Sequence, residues 1–186
     1  MIKLIKSDLK KNLSLERYNH TIRVSETAVE LAEIYNENVE DATIAALLHD
    51  YVKCLDKKYY REIIRKNNLK IDSAIEEDIG LAHGLISAYF AKEKYKIENI
   101  DILNAIEYHT YGRPDMSTLE KIIYLADYIE PGRSFDGVDD IREMAKIDLN
   151  KAMIMALESS MDYVKSMGKE VHPLSMQAMI FIQNEV

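Results

Sequence analysis

Six histidine and aspartate residues stand apart from the rest of the sequence, because each falls beside apolar residues or near the end of a predicted helix. They are His20, His49, Asp50, His83, His109 and Asp127. Imidazole and carboxylate without thiolate suit iron, manganese, zinc, cobalt or nickel, whereas calcium and magnesium prefer shells of oxygen. If the fold brings these side chains together, they predict a transition-metal site.

Taken one at a time, these residues have ordinary interpretations. A histidine on an apolar helix face is more often a hydrogen-bonded core residue than a metal ligand. An adjacent pair such as His49 and Asp50 also arises readily by chance. The prediction therefore rests on the whole set, which a helical bundle can bring to one point from several helices.

The number of candidate ligands favours two ions, because one catalytic ion must keep positions open for water and substrate. A carboxylate can bridge two cations, whereas a neutral imidazole offers one lone pair, so Asp50 is the candidate for the shared and catalytic ligand. Two ions about 3.5 to 4 Å apart can hold a bridging water and clamp both oxygens of an in-line displacement at phosphorus. We therefore expect hydrolysis of a phosphate ester or anhydride by a metal-bridging hydroxide.

Four basic residues lie either three positions after a candidate ligand on a helix or in the turn after one. They are Arg23, Lys53, Arg113 and Arg133. Arginine binds phosphate with paired hydrogen bonds and lysine acts as a point charge, so all four are predicted to bind substrate. Lys53 and Arg133 are also candidate catalytic residues, whereas Arg23 and Arg113 are equally compatible with solvated surface.

Two further side chains need an interpretation. Glu130 follows Asp127 by three residues; it is a candidate to contact substrate, to orient a ligand or water, or to lie on the surface at a helix end. Cys54, the only cysteine, lies beside Lys53. We do not expect it to be a nucleophile, because no spare histidine remains to activate it.

Helices must position these side chains, since only three prolines and six glycines interrupt long stretches of helical periodicity. Ser14 is predicted to cap a helix that reaches about Asn36. The apolar run from Glu40 predicts a central helix that carries His49 and Asp50 at its middle. The fold class is therefore all-α, a helical bundle, and the length favours one domain over residues 1–186.

Further along the chain, two capping boxes are predicted, one at Ser73 and one at Ser117. The stretch RSFDGVDD predicts a loop, followed by a helix from about Asp148 to Met167.

The amino-acid composition restricts the kinds of molecule that the protein can bind. With 24 Lys and Arg against 32 Asp and Glu, the net charge is −8, which argues against long nucleic acids. A small polyanion would need bound cations or a local basic pocket. No stretch reaches the roughly 18 apolar residues of a membrane span, and the lysines near the start do not fit a signal peptide. With one cysteine, a reducing compartment is expected, and the cytoplasm is the default.

The motifs resemble those of the HD superfamily of metal-dependent phosphohydrolases, whose signature is H…HD…D on an all-α core. The nearer resemblance is to the bacterial YqeK group, which are symmetrical diadenosine tetraphosphate hydrolases. The matching segments are RYNHTIRVSETA, AALLHDYVK, LAHGLISAYFAKE, IEYHTYGRP and IIYLADYIEPGR.

The resemblance implies an HD-domain helical bundle with two divalent ions, typically iron, with manganese, cobalt, nickel or zinc as alternatives. One ion would be bound by His20, His49, Asp50 and Asp127. The other would be bound by Asp50, His83 and His109. The implied reaction splits the middle of the tetraphosphate bridge and yields two ADP, with Lys53, Arg133 and Arg113 holding the outer phosphates.

Other functions stay open from the sequence. One is a single-metal HD nucleotidase that acts on another nucleotide through His20, His49, Asp50 and Asp127 alone. Another is a non-catalytic nucleotide or metal sensor. In each case the expected partner is a small nucleotide, and the helices that carry tyrosine and methionine could also form the face of a homodimer.

Overall fold

The computed structural model describes residues 1–185, and within them the chain forms helices and no strand. The α-helices are α1 (Ile2–Asn12), α2 (Leu15–Ile34), α3 (Val39–Leu48), α4 (Lys57–Lys66), α5 (Ser73–Glu77), α6 (His83–Tyr95), α7 (Ile100–Tyr108), α8 (Thr118–Ile129), α9 (Val138–Ile147), α10 (Leu149–Ser166) and α11 (Pro173–Gln183). A 3-10 helix, Ile79–Ala82, leads directly into α6. The prediction of an all-α bundle is confirmed.

Helix α3 lies at the centre of the bundle, as its apolar sequence predicts. It packs against α1, α2, α6, α7 and α8. Its buried positions are mostly small or aliphatic and occupy every face of the helix, including Ala42, Ala45, Ala46 and Leu48. Small side chains on all sides let five neighbours approach at once. The central helix therefore gathers the elements that carry the candidate ligands.

The structure corrects the predicted position of Asp50, because α3 ends at Leu48. The chain then turns through hydrogen bonds of the tighter 3-10 type, such as the one from the N–H of Lys53 to the carbonyl of Asp50. Nδ1 of His49 donates a hydrogen bond to the carbonyl of Ala46. In a continuing α-helix that carbonyl would instead accept from the N–H of Asp50. Asp50 thus lies in a turn at the end of the helix, not at its middle.

Helix ends follow the sequence at most sites. Ser14 accepts a hydrogen bond from the N–H of Arg17, and Ser117 forms the predicted capping box with Glu120. The capping box at Ser73 is wrong, since the preceding residue, Asp72, caps α5 with its own side chain. The carboxylate of Asp72 accepts from the N–H of Ile75, whereas a cap at Ser73 would accept from the N–H of Glu76, so the cap moves by one residue.

The predicted loop RSFDGVDD is shorter than expected, because α9 begins within it at Val138. Gly137 precedes this helix with φ of 87°, a conformation that favours glycine. Asp139 and Asp140 then occupy the first turn, where negative charge stabilises a helix N-terminus. Across residues 1–185, none of the helices combines the length and apolar character needed to cross a membrane.

Candidate metal centre

Five elements of the bundle bring the six candidate ligands to one place. The positions are His20 on α2, His49 and Asp50 in the turn after α3, His83 at the first residue of α6, His109 directly after α7, and Asp127 on α8. The four histidines and Asp50 are at most 6% exposed, whereas Asp127 is partly open to solvent. The predicted convergence of the set is therefore present in the fold.

Asp50 divides the histidines into two sets. Its Oδ2 lies 3.9 Å from Nε2 of His20 and 3.5 Å from Nε2 of His49. Its Oδ1 lies 3.3 Å from Nε2 of His83 and 3.6 Å from Nε2 of His109. Each carboxylate oxygen of Asp50 thus faces its own pair of imidazole nitrogens.

Asp127 completes the first set. Its Oδ1 lies 3.1 Å from Nε2 of His20 and 4.0 Å from Nε2 of His49. We call these three residues, with Oδ2 of Asp50, the His20 group. The other set, called the His83 group, consists of His83 and His109 with Oδ1 of Asp50, and the Nε2 atoms of its two rings are 3.1 Å apart.

The spacing of these atoms fits metal coordination. Bonds of about 2.0 to 2.2 Å to a shared ion place neighbouring donor atoms about 3 to 3.5 Å apart. The separations above, 3.1 to 4.0 Å, lie close to that range. Nε2 of His20, Nε2 of His49 and Oδ1 of Asp50 are buried and find no hydrogen-bond partner among residues 1–185. Buried polar atoms are normally satisfied, so these atoms fit a bound cation.

The histidine rings are held in the orientation that metal binding needs. In three of them Nδ1 donates to a backbone carbonyl three residues earlier, at 2.6 to 2.7 Å. The pairs are His49 with Ala46, His83 with Gly80 and His109 with Ile106. Carbonyls at helix ends lack partners within the helix, so each ring uses one of them. The contact fixes the proton on Nδ1 and leaves the Nε2 lone pair facing the centre.

His20 is held instead by a carboxylate. Its Nδ1 donates to Oε1 of Glu130 at 3.1 Å, and Glu130 also accepts hydrogen bonds from Arg23 and from the N–H of Gly132. Burial alone would raise the pKa of Glu130, but the hydrogen bonds from Arg23, Gly132 and His20 lower it to about 2. Both carboxylate oxygens are engaged by protein groups, so Glu130 is placed to orient His20, as the sequence allowed. Glu130 also lines the cavity beside the centre, and its contact with substrate stays a prediction.

Electrostatics sets the protonation states of the centre. Burial lowers the pKa of His83 to about 3, with the charge of Lys53 acting in the same direction. Burial would raise the pKa of Asp50, but the surrounding His49, His109 and His83 hold it well below its usual value. At neutral pH the aspartate is charged and His83 is neutral. These are the forms that bind metal ions.

Basic side chains surround the carboxylates of the centre. Nη1 of Arg17 donates to Oδ2 of Asp50 at 2.8 Å, and Nη2 of Arg133 donates to Oδ1 of Asp127 at 2.6 Å. Nζ of Lys53 lies 3.5 Å from Oδ1 of Asp50. Each oxygen that faces the centre thus attracts a positive group, as expected for a site that takes cations.

The same basic side chains line a polar cavity of about 330 Å³, which we call the cationic pocket. Its walls include Arg17, Arg23, Lys53 and Arg133, together with His20 of the His20 group. Guanidinium and ammonium groups are the usual partners of phosphate oxygens. The pocket therefore offers a place for phosphate next to the candidate metal ligands.

Arg113 is not among the residues that line the cationic pocket. Its guanidinium makes paired hydrogen bonds with the buried carboxylate of Glu120, donates to the carbonyl of Pro114, and lies over the ring of Tyr108. These contacts stabilise the start of α8. The structure therefore gives Arg113 a structural position instead of the predicted contact with phosphate.

Two further residues of the site are not predicted from the sequence. Arg17 precedes His20 by three positions on α2, the same helical spacing that singled out Arg23 on the other side. Thr110 follows His109 directly, and its Oγ1 lies 3.1 Å from Nε2 of both His83 and His109. Spacing could have identified Arg17, whereas nothing in the sequence distinguishes Thr110 from an ordinary turn residue.

Comparison with known proteins gives consistent similarities. Residues 17–132 match the HD domain family. The chain is 44% identical to a protein of Halalkalibacterium halodurans and 40% identical to one of Bacillus subtilis, both named symmetrical bis(5'-nucleosyl)-tetraphosphatase; each match covers 89% of this chain and 88% of the relative. A crystal structure from Clostridium acetobutylicum, described as a predicted HD superfamily hydrolase involved in NAD metabolism, is 42% identical with a TM-score of 0.95. It covers 100% of this chain and 98% of that one.

Proposed function

The chain belongs to the HD domain family, and we propose that it is a symmetrical bis(5'-nucleosyl)-tetraphosphatase that hydrolyses diadenosine tetraphosphate to two ADP. One observation carries this proposal beyond the similarity: the two oxygens of Asp50 face two separate sets of imidazole nitrogens. Such an arrangement suits a carboxylate shared by two ions. Two-ion sites are one kind of site that catalyses in-line displacement at phosphorus.

We propose that the His20 group holds one divalent ion and the His83 group a second, with Asp50 shared. Iron is the proposed metal, and manganese, cobalt, nickel or zinc fit the same donors. When bound, such ions lower the pKa of a water molecule and withdraw charge from phosphoryl oxygens.

The chain's own residues supply the remaining parts of the reaction. Arg17, Arg23, Lys53 and Arg133 have side chains that are 32%, 35%, 35% and 39% exposed, so their charged ends reach the cationic pocket. There they bind the phosphate chain, and Lys53 and Arg133 stabilise the charge that develops as ADP leaves. The oxygen of water bonds to one central phosphorus as the bond from that phosphorus to the oxygen bridging the two central phosphorus atoms breaks. That oxygen keeps the electron pair and leaves as part of the second ADP, and the protons of the water pass to solvent.

The local charge explains how an acidic protein takes a polyanion. The net charge of −8 disfavours long nucleic acids, but the four basic side chains are concentrated in one pocket beside the centre. The proposed substrate is small beside a long nucleic acid, and its negative charge is confined to the phosphates that this pocket would receive. We also propose that residues 1–186 act as one HD-type domain, since α10 packs against α8 and α11 against α10.

Product analysis tests the proposal. Metal-loaded protein is incubated with diadenosine tetraphosphate, and nucleotides are separated by chromatography with Asp50→Ala as the inactive control. The expected product is ADP alone, formed at two per substrate. Formation of ATP and AMP would contradict symmetrical cleavage, and no turnover with several reduced metals would favour a sensor. Full activity after His83→Ala with His109→Ala would favour the single-metal nucleotidase.

A further inference from the structure

Tyr51, the residue that follows Asp50, belongs to a set of polar side chains that reaches both α1 and α6. Its hydroxyl accepts hydrogen bonds from Nζ of Lys94 at 2.8 Å and from Nδ2 of Asn12 at 3.4 Å. Nζ of Lys94 also lies 2.7 Å from Oδ2 of Asp8. Two side chains of α1 and one of α6 therefore meet beside the turn that carries the candidate shared ligand.

Aromatic rings complete this set. The hydroxyl of Tyr95 donates to Oδ2 of Asp8 at 2.8 Å, and the rings of Tyr95 and Phe90 each lie with centres 5.8 Å from that of Tyr51. Nζ of Lys94 is 5.4 Å and 5.2 Å from the centres of the Tyr51 and Tyr95 rings, within the range of cation–π attraction. We call the polar members the Tyr51 network: Asp8, Asn12, Tyr51, Lys94 and Tyr95.

The network contains a charged pair at neutral pH. The hydrogen bonds from Lys94 and Tyr95 lower the pKa of Asp8, and those that Lys94 makes to Asp8 and Tyr51 raise the pKa of Lys94. Because Lys94 is partly open to solvent, its ion pair adds little stability by itself. Its effect is on position: Asp8 is the acceptor that both donors share, so removing its charge weakens the contacts of both.

The turn that carries Asp50 depends on contacts of this kind, because α3 does not continue through it. The N–H of Tyr51 donates to the carbonyl of Leu48 and the N–H of Lys53 to that of Asp50, in bonds of the 3-10 type, whose geometry is poorer than in an α-helix. The two oxygens of Asp50 lie 3.3 to 3.9 Å from four imidazole nitrogens. A small rotation of the turn would shift both oxygens at once.

Helix α1 is placed to fix this turn. Four of its residues follow the spacing i, i+3, i+4, i+7 and share one face: Ile5, Asp8, Leu9 and Asn12. Ile5 and Leu9 are fully buried and α1 packs against α3, so the apolar pair docks the helix while the polar pair reaches the network. Helix α1 precedes residues 17–132, which match the HD family. It therefore adds a contact that the matched segment does not contain.

We propose that α1 is a positioning element for the metal centre, and that Asp8 is a positioning residue that acts through Lys94 and Tyr51, an inference that rests on the metal centre of the proposed function. Asp8 holds the ammonium of Lys94 against the hydroxyl of Tyr51, and the fixed Tyr51 side chain sets the orientation of Asp50, the residue before it. A second connection runs along α6, because Lys94 lies in the last turn of the helix that begins at His83.

Cobalt binding tests this assignment, because the visible absorption of bound Co²⁺ reports the geometry of its ligands. The variants are Asp8→Asn, Tyr51→Phe and the two combined. Tyr35→Phe is the matched control, since the hydroxyl of Tyr35 also donates one hydrogen bond, to the carbonyl of Ala145 on α9 at 2.8 Å, but is not part of the Tyr51 network. Titration of Co²⁺ into each metal-free variant gives affinity and spectrum, and circular dichroism checks folding.

Asp8→Asn and Tyr51→Phe are each expected to weaken Co²⁺ binding by about three- to tenfold and to alter its absorption. This loss is smaller than the about 10- to 100-fold typical of a direct partner of a metal ligand. The double variant should match Tyr51→Phe within about twofold, because residues that act through one another do not add. Tyr35→Phe, and Asp162→Asn as the control for loss of charge, should match the parent.

Parental affinity and absorption in folded Asp8→Asn would overturn the inference, and so would losses that add in the double variant or an equal loss in Tyr35→Phe. If Asp8→Asn does not fold, Tyr51→Phe decides by itself. Failure of the parent to bind Co²⁺ would overturn the metal centre of the proposed function together with this inference, whereas the other outcomes leave that centre intact.

Discussion

At the scale of single residues, the two ring nitrogens of each candidate histidine ligand have different roles. Nδ1 is satisfied by protein, either by a backbone carbonyl or by Glu130, and Nε2 is left for the shared space. Nε2 of His83 and Nε2 of His109 would repel each other at 3.1 Å without a positive group near them, and Lys53 donates to His83 at 2.9 Å. The neutral ring of His83 and the charged carboxylate of Asp50 therefore favour a cation in this space.

Asp50→Ala is expected to remove both ions, because the one side chain lies on the boundary of both groups. His109→Ala should remove only the ion of the His83 group, since the His20 group keeps all its donors. Metal content per chain, measured by mass spectrometry after dialysis, distinguishes the two variants. Asp162→Ala, at an exposed position on α10, is the control. Two ions per chain in Asp50→Ala would show that Asp50 is not shared.

Glu130→Gln preserves the shape of the side chain but removes the charge that holds His20 and Arg23. Changes to the partners of metal-binding histidines typically weaken metal affinity by about 10- to 100-fold, and we expect a loss of that order at the His20 group. Titration of metal into the variant measures it, with the exposed Glu158→Gln as control. Parental affinity in Glu130→Gln would mean that packing alone orients His20.

At the scale of elements, the sequence predicts helices well where one face is clearly apolar or a cap is present, as for α2 and α8. It fails where tertiary contacts decide the end of a helix. His49 satisfies a carbonyl of α3 with its own ring, and this turn aims Asp50 at the centre. Helix α9 is not predicted because Asp139 and Asp140 are typical of a polar loop, although in this position they stabilise the start of a helix. The larger cavity beside the centre is lined by residues 73–81, 110–111 and 160–175, three segments distant in sequence, which no local pattern reveals.

Gly84→Ala is expected to separate α6 from α7 and to disturb the His83 group. A Cβ at Gly84 would lie 2.3 Å from the carbonyl oxygen of Glu107 and 3.1 Å from that of Ile106, which holds the ring of His109. Backbone cannot yield as a side chain does, so the free energy of unfolding should fall by about 1 to 3 kcal/mol. Urea denaturation and metal content measure the two effects.

Gly80→Ala provides the comparison for this prediction. Its Cβ would meet only the ends of the Lys57 and Asp78 side chains, which can move aside. We expect a much smaller loss of stability than for Gly84→Ala, and metal content close to that of the parent. Equal losses in the two variants would show that close approach of α6 and α7 is not what holds the His83 group together.

At the scale of the whole molecule, metal binding and folding are linked. The candidate ligands come from five elements spread between residues 20 and 127, so the unfolded chain does not present them together. A ligand that binds only the folded state stabilises it, by about 2.7 kcal/mol when its concentration is 100 times the dissociation constant. The bundle should therefore be more stable with metal than without, and the gain should depend on the centre instead of on surface carboxylates.

Thermal unfolding of chelator-treated protein should shift to higher temperature as divalent metal is added, and the shift should grow with metal concentration. Asp50→Ala is expected to abolish the shift, because it removes the one side chain that belongs to both groups. Asp162→Ala should retain it in full, since that carboxylate is exposed and distant in sequence from the ligands. A metal-dependent shift of parental size in Asp50→Ala would mean that metal stabilises the protein by binding elsewhere. Binding at the six-residue centre would then not explain the stabilisation.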